Sequence, residues 1–119
     1  MSQRTERLGD LIRTELASLL LRELRDPRVK LATVTSVRVS PDLRHADVRI
    51  SALGSEPERA ATIAALIHAR GFLRRELAQR LSLRVTPELK FHLDRGAEHS
   101  QRINELLEGL GGEEPGHDS

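Results

Sequence analysis

Leucine and isoleucine recur at three- and four-residue spacing through Leu8, Leu11, Ile12, Leu16, Leu19 and Leu20, the spacing that gathers apolar side chains on one helix face. A helix over residues 4–25 is predicted, and it must stop ahead of Pro27, because the residue before a proline is pushed out of the α region. From Leu31 the period changes to two. Leu31, Thr33, Thr35, Val37 and Val39 share one face of a predicted strand rich in β-branched residues. Ser40-Pro41-Asp42-Leu43-Arg44 supplies the residues of a reversal. Beyond it Ala46, Val48, Ile50 and Ala52 alternate with Asp47, Arg49 and Ser51, so the two strands form a hairpin with one apolar and one polar face.

Leu53-Gly54 closes the second strand, and Ser55-Glu56-Pro57-Glu58 reads as a capping box, with Ser55 as N-cap and Glu58 reaching back. The helix it opens runs through Ala60–Ile67 toward HARGFLRREL, residues 68–77, where a glycine interrupts a helical pattern at a cost of about 1 kcal/mol relative to alanine. A fresh stripe of Leu73, Leu77 and Leu81 follows, so a break or sharp bend is predicted at Ala69-Arg70-Gly71, with the glycine permitting the turn. After Thr86-Pro87 a third strand is predicted from Leu89, Phe91 and Leu93 alternating with Lys90, His92 and Asp94. Ala97–Leu107 reads as a last amphipathic helix, and the run from Gly109 has too little apolar surface to order itself. The order α-β-β-α-(kink)-α-β, plus that C-terminal helical segment, describes an α+β domain with a three-stranded sheet and helices on one face. The predicted division is a single domain over 1–108 and a disordered acidic, Gly-rich tail over 109–119.

A chain of 119 residues is long enough for one core without staples. It contains no cysteine, and its five histidines, at 45, 68, 92, 99 and 117, match no ligand spacing, so no metal or cofactor is expected. A hydrolytic site from His92, Asp94 and a serine would lack a nucleophile elbow, and no phosphate-binding Gly-rich loop is present. The N-terminus lacks an apolar signal core and no window approaches the roughly 20 apolar residues of a membrane span; the cytoplasm is the expected compartment.

Charge changes the picture. The net charge of +1 conceals 18 Lys+Arg against 12 Asp+Glu in residues 1–95, and one Arg against six acids in residues 96–119. Of the 19 positive residues 17 are arginine, the side chain suited to bidentate phosphate contact, so the basic body suggests a polyanion-binding surface. The plainer alternative is arginine standing in for lysine on ordinary solvated faces.

The stretches Asp26-Pro27-Arg28, Ala32-Thr33-Val34-Thr35, Val39-Ser40-Pro41-Asp42-Leu43, Ala46-Asp47-Val48, Ser51-Ala52-Leu53-Gly54, Gly71-Phe72-Leu73-Arg74, Leu81-Ser82-Leu83-Arg84 and Pro87-Glu88-Leu89-Lys90-Phe91 together resemble the ribosome-binding factor A family of bacteria. The likeness covers roughly residues 4–108. It implies a type II K-homology-like fold in which the usual Gly-x-x-Gly loop is replaced by an Ala-x-Gly kink, here Ala69-Arg70-Gly71. It further implies a non-enzymatic assembly factor, acting in cold adaptation among other conditions. Such a factor binds the maturing 30S subunit, aids processing of the 5′ end region of 16S rRNA and leaves before translation. Neighbouring ribosomal proteins are possible further partners, and a monomer is expected. Where the family commonly carries an aromatic in its second strand, this chain has Arg49.

With that resemblance, Arg70, Arg74, Arg75 and Arg80 become a candidate phosphate-binding cluster near the kink, with Arg84 close in sequence and Arg44, Lys30 and Lys90 as further candidates. Reversing the charge of Arg74 and Arg75 is expected to abolish subunit binding without lowering stability. Base stacking is a poor prospect, because Phe72 and Phe91 are the only Phe, Tyr or Trp rings, Phe91 falling on the apolar face of the third strand and Phe72 adjoining the helical stripe; shape and backbone recognition by Arg and Lys is favoured. A general K-homology-like RNA-binding module, or a protein-interaction domain working through its helix faces, are the alternatives.

Overall fold

The computed structural model describes residues 3–95. The predicted helix Ala97–Leu107 and the tail from Gly109 lie outside them. Helix α1 spans Gln3–Arg22 and buries Ile12, Leu16, Leu19 and Leu20. It ends three residues short of the prediction, where the Leu24 amide reaches back to the Leu19 carbonyl at 3.2 Å.

The Asp26-Pro27 pair does more than stop a helix. Asp26 caps a short 3-10 helix, Pro27–Leu31, accepting the Arg28 amide at 3.0 Å while the Arg28 guanidinium binds both carboxylate oxygens. Those bonds hold the Asp26 carboxyl down from 3.8 to about 2. Asp as N-cap with Pro at the first helical position is the pattern that could have announced this turn. Leu31 therefore belongs to the 3-10 helix, and strand β1 begins at Ala32.

Strands β1, Ala32–Val39, and β2, His45–Ala52, pair antiparallel, and β3, Glu88–Leu93, adds parallel to β2, giving the sheet order β1-β2-β3. The predicted alternation in β1 fails halfway. Val37 opposes Val48 and Val39 opposes Ala46, but a bulge at Thr35 shifts the register so that Val34 opposes Ile50. One extra residue reverses the parity of everything before it. Val34 is thus buried, whereas Thr33 and Thr35, assigned to the apolar face, are exposed. The Thr35 hydroxyl is used across the sheet, donating to the Asp94 carboxylate at 2.8 Å.

The crossover from β2 to β3 consists of α2, Glu56–His68, and α3, Arg70–Arg80. The capping box forms as predicted: the Glu58 amide donates to Ser55 Oγ and the Ser55 amide to Glu58 Oε1, which lowers the Glu58 pKa. Thr62 Oγ1 sits 3.1 Å from the Arg28 carbonyl, joining α2 to the 3-10 turn. Beyond the end of β3, Arg95 forks onto Glu56 with two bonds of 2.7 Å, and this lowers the Glu56 pKa. Among the described residues the core comprises α1 side chains, Val29, the inward positions of the strands, and Ala65, Leu66, Leu73 and Leu77 of the crossover helices. Phe72 and Phe91 are partly buried against it.

The helix layer lies close on the sheet at Gly9. A Cβ on this residue would stand 2.6 Å from the Val37 carbonyl oxygen, a distance that only backbone movement could relieve. Replacing Gly9 by alanine adds helix propensity of about 1 kcal/mol, yet overpacking of this kind costs about 1–3 kcal/mol. The expected net result is a lowered thermal midpoint, measured by circular dichroism; a midpoint equal to or above that of the parent would show that α1 can lift off β1 at no cost.

Candidate nucleic-acid interface

The four arginines near the kink do not form one phosphate-facing cluster. Arg74 is half-buried, and its guanidinium donates to the Pro87 carbonyl at 3.1 Å and the Thr86 carbonyl at 2.8 Å, clamping the approach to β3. Arg70 makes a longer contact, 3.5 Å, with the Leu89 carbonyl. Arg80 turns toward α1, bridging Glu15, Glu23 and Glu76 at 3.3–3.9 Å. Arg75 alone of the four is exposed with no ion pair or hydrogen bond to another described residue.

The kink itself falls on Ala69, whose φ of −87° and ψ of 4° separate α2 from α3. Gly71 lies inside the first turn of α3, without left-handed φ, and a Cβ there would meet only the Arg75 guanidinium at 3.8 Å. The break is where it was predicted, but the glycine is not what permits it.

A different set of arginines converges. The β1–β2 turn is fixed by Asp42, which accepts from Ser40 Oγ at 2.6 Å and from the Arg44 amide at 3.0 Å; both bonds lower its pKa. This turn forces Leu43 into the left-handed region, φ 64°. Helix α3 ends in the same unusual way. Ser82 takes φ 51° and the Leu83 amide reaches the Ala78 carbonyl at 3.0 Å, a Schellman closure with serine where glycine is usual. Both residues lie beside the N-terminal half of α1. Between them opens a hollow of about 410 Å³, with Arg4, Arg7 and Arg84 around it and Leu8, Leu11, Leu43 and Val85 among its lining. None of the three arginines has a hydrogen bond or ion pair to another described residue. Leu11, assigned by periodicity to the core stripe, is 47% exposed here, and Val85 is 58% exposed. An adjoining hollow shares Leu43 and Val85 and adds Arg44 and Arg74, with Asp42 and Glu88 as its acids.

Of the remaining candidates, Lys30 lies on the 3-10 turn beside Leu20 and Leu21 of α1, remote in the chain fold from the turn that carries Arg44. Lys90 is on the solvent face of the sheet, which it shares with Arg38 and Arg49, and where His92 pairs with Asp47 at 2.9 Å. His92 and Asp94 therefore have different partners. Arg4 and Arg7 escaped the sequence pattern because charges on the outer face of a helix look solvated. The clue was the leucine at position 11, placed on the edge of an otherwise well-filled stripe and lining the same hollow as their side chains.

The profile of the family described as ribosome-binding factor A matches residues 4–107. Ribosome-binding factor A of Roseiflexus castenholzii is 50% identical over 117 residues, covering 98% of this chain and 90% of that protein. The crystal structure of ribosome-binding factor A from Thermus thermophilus matches at TM-score 0.68 and 32% identity, covering 77% of this chain and 98% of that one. Coordinates of the Thermus thermophilus factor fitted into a cryo-EM map of a 30S complex match at TM-score 0.56 and 32% identity, over 72% and 94% of the two chains. These neighbours bear out the K-homology-like α+β fold.

Arg74 and Arg75 are expected to separate in a thermal melt. Charged donors to carbonyls contribute about 1.5–3 kcal/mol, so Arg74→Ala should lower the midpoint by several degrees, whereas the exposed Arg75→Ala should leave it within about 0.5 kcal/mol of the parent. This corrects the expectation that both can be reversed without loss of stability. Gly71→Ala should raise the midpoint, by the propensity gain of about 0.5–1 kcal/mol; a fall would return the glycine to the kink.

Proposed function

Since the chain belongs to the ribosome-binding factor A family, we propose that it is a non-catalytic assembly factor that binds the 30S ribosomal subunit through 16S rRNA. It aids maturation of the 5′ end region of that RNA and dissociates before translation. It works as a monomer in the cytoplasm and needs no cofactor. The relative fitted into a 30S complex supports the choice of partner. The observation that carries the reading is the convergence of Arg4, Arg7 and Arg84, with Arg44 adjoining, on one open surface without carboxylate partners among the described residues for the first three. Guanidiniums left free of internal ion pairs are available as phosphate forks. Arg75 lies exposed on the neighbouring helix and can extend the contact. Arg74 supports the loop that carries Arg84, Arg70 reaches the backbone of β3, Arg80 ties α3 to α1, and Lys30 and Lys90 are outlying.

Half or more of the bonds in such interfaces go to phosphate and sugar, which positions the protein without reading sequence. Affinity for 30S particles should then fall linearly with salt on a log–log scale. Replacing Arg84 by glutamine should lessen that slope by about one, with the same expected of Arg4 and Arg7, while the thermal midpoint stays unchanged. Co-sedimentation with 30S subunits across a salt series measures both. Salt-insensitive binding would sink the electrostatic mechanism and favour a protein-interaction surface; unaltered slopes in all three variants would move the RNA-facing surface elsewhere.

A further inference from the structure

The hollow between α1, the β1–β2 turn and the α3–β3 loop has a composition that phosphate binding alone does not explain. Three arginines surround it, yet Leu11, Leu43 and Val85 form an apolar lining, and two of those are about half exposed. A phosphate held over that lining would lose hydration without gaining donors from it. A purely apolar partner would cover the lining and leave three guanidiniums without counter-charge. The ligand that satisfies both parts has a flat apolar body and an anionic edge. Arginine planes also cover base faces where aromatic rings are absent, and this chain has no Trp or Tyr.

Resting on the RNA-binding reading above, we propose that the hollow captures one unpaired nucleotide turned out of a structured RNA. Its base lies over Leu11, Leu43 and Val85, and the phosphates on either side of it lie on Arg4, Arg7 and Arg84. The volume, about 410 Å³, lies toward the lower end of ligand-sized pockets, which suits a single nucleotide rather than a run of stacked bases. The hollow is also built in advance. Asp42 holds the turn bearing Leu43, the Schellman closure holds Ser82, and Arg74 holds Thr86 and Pro87 beside Val85. Preorganisation of this kind spares the ordering cost at binding. With a lining dominated by leucine and valine, the site reads that a base is unpaired more than which base it is.

The test uses the full chain and two RNA hairpins of identical stem, one fully paired and one with a single-nucleotide bulge, compared by fluorescence anisotropy at one salt concentration. The bulged hairpin should bind about tenfold more tightly, the scale of covering one exposed leucine or valine side chain. In Leu11→Ser/Val85→Ser the preference should collapse to within twofold, while affinity for the paired hairpin is retained. Val85→Thr, nearly isosteric, is the second variant should the double substitution melt early, and it should reduce the preference by at least half. Arg84→Gln should weaken both hairpins alike. Equal binding of the two hairpins by the parent protein overturns the inference and leaves the 30S reading standing, as does a preference that survives the Leu11 and Val85 substitutions. Binding to neither hairpin also overturns it, and 30S co-sedimentation then decides separately whether the assembly-factor reading falls too.

Discussion

The hollow proposed to face RNA follows from how closely α1 lies on β1. The missing side chain at Gly9 lets the helix backbone settle against the Val37 carbonyl, and Thr5, one turn earlier on the same face, is buried too. Val39 and the β1–β2 turn come directly after Val37 in the chain, so the same approach sets Arg4, Arg7 and Leu8 beside Leu43. A looser helix would still cover the core through Ile12, Leu16 and Leu19. It would not bring its first two turns to the turn between the strands.

Arginine in this chain serves three physical ends, and composition cannot tell them apart. Arg74 is a backbone clamp, Arg80 is the centre of an ion-pair group with three glutamates, and Arg4, Arg7 and Arg84 have no internal partner among the described residues. Which end an arginine serves depends on what lies within reach of its guanidinium, which is a property of the tertiary fold. The basic body was legible as a whole; the assignment of its members was not. Closeness in sequence groups 70, 74, 75 and 80, of which three turn to internal partners, whereas positions 4, 7 and 84 meet around one hollow from opposite ends of the domain.

The elements themselves were largely readable, because the signals were local: the stripe on α1, the Ser55 capping box, the alternation in β2 and the proline before β3 each act within a few residues. The failures came where a local pattern has more than one solution. Alternation through Leu31–Val39 could continue unbroken or change phase, and only pairing with β2 places the extra residue at Thr35. Asp26-Pro27 could end one helix or also begin another, and both happen. Gly71 is a weak point in a helix without being its break, since the turn is taken at Ala69, whose backbone lies in a region open to any residue.

Leu43 and Ser82 occupy conformations that side chains rarely adopt, each at a cost of roughly 1–3 kcal/mol. Two glycines would relax that cost and also widen the range of shapes each loop could take. The protein has the opposite arrangement, holding stiff residues in strained positions at both lips of one hollow. Stability and definition are in competition there, and selection for a well-shaped surface is the pressure that would keep a less stable backbone in place.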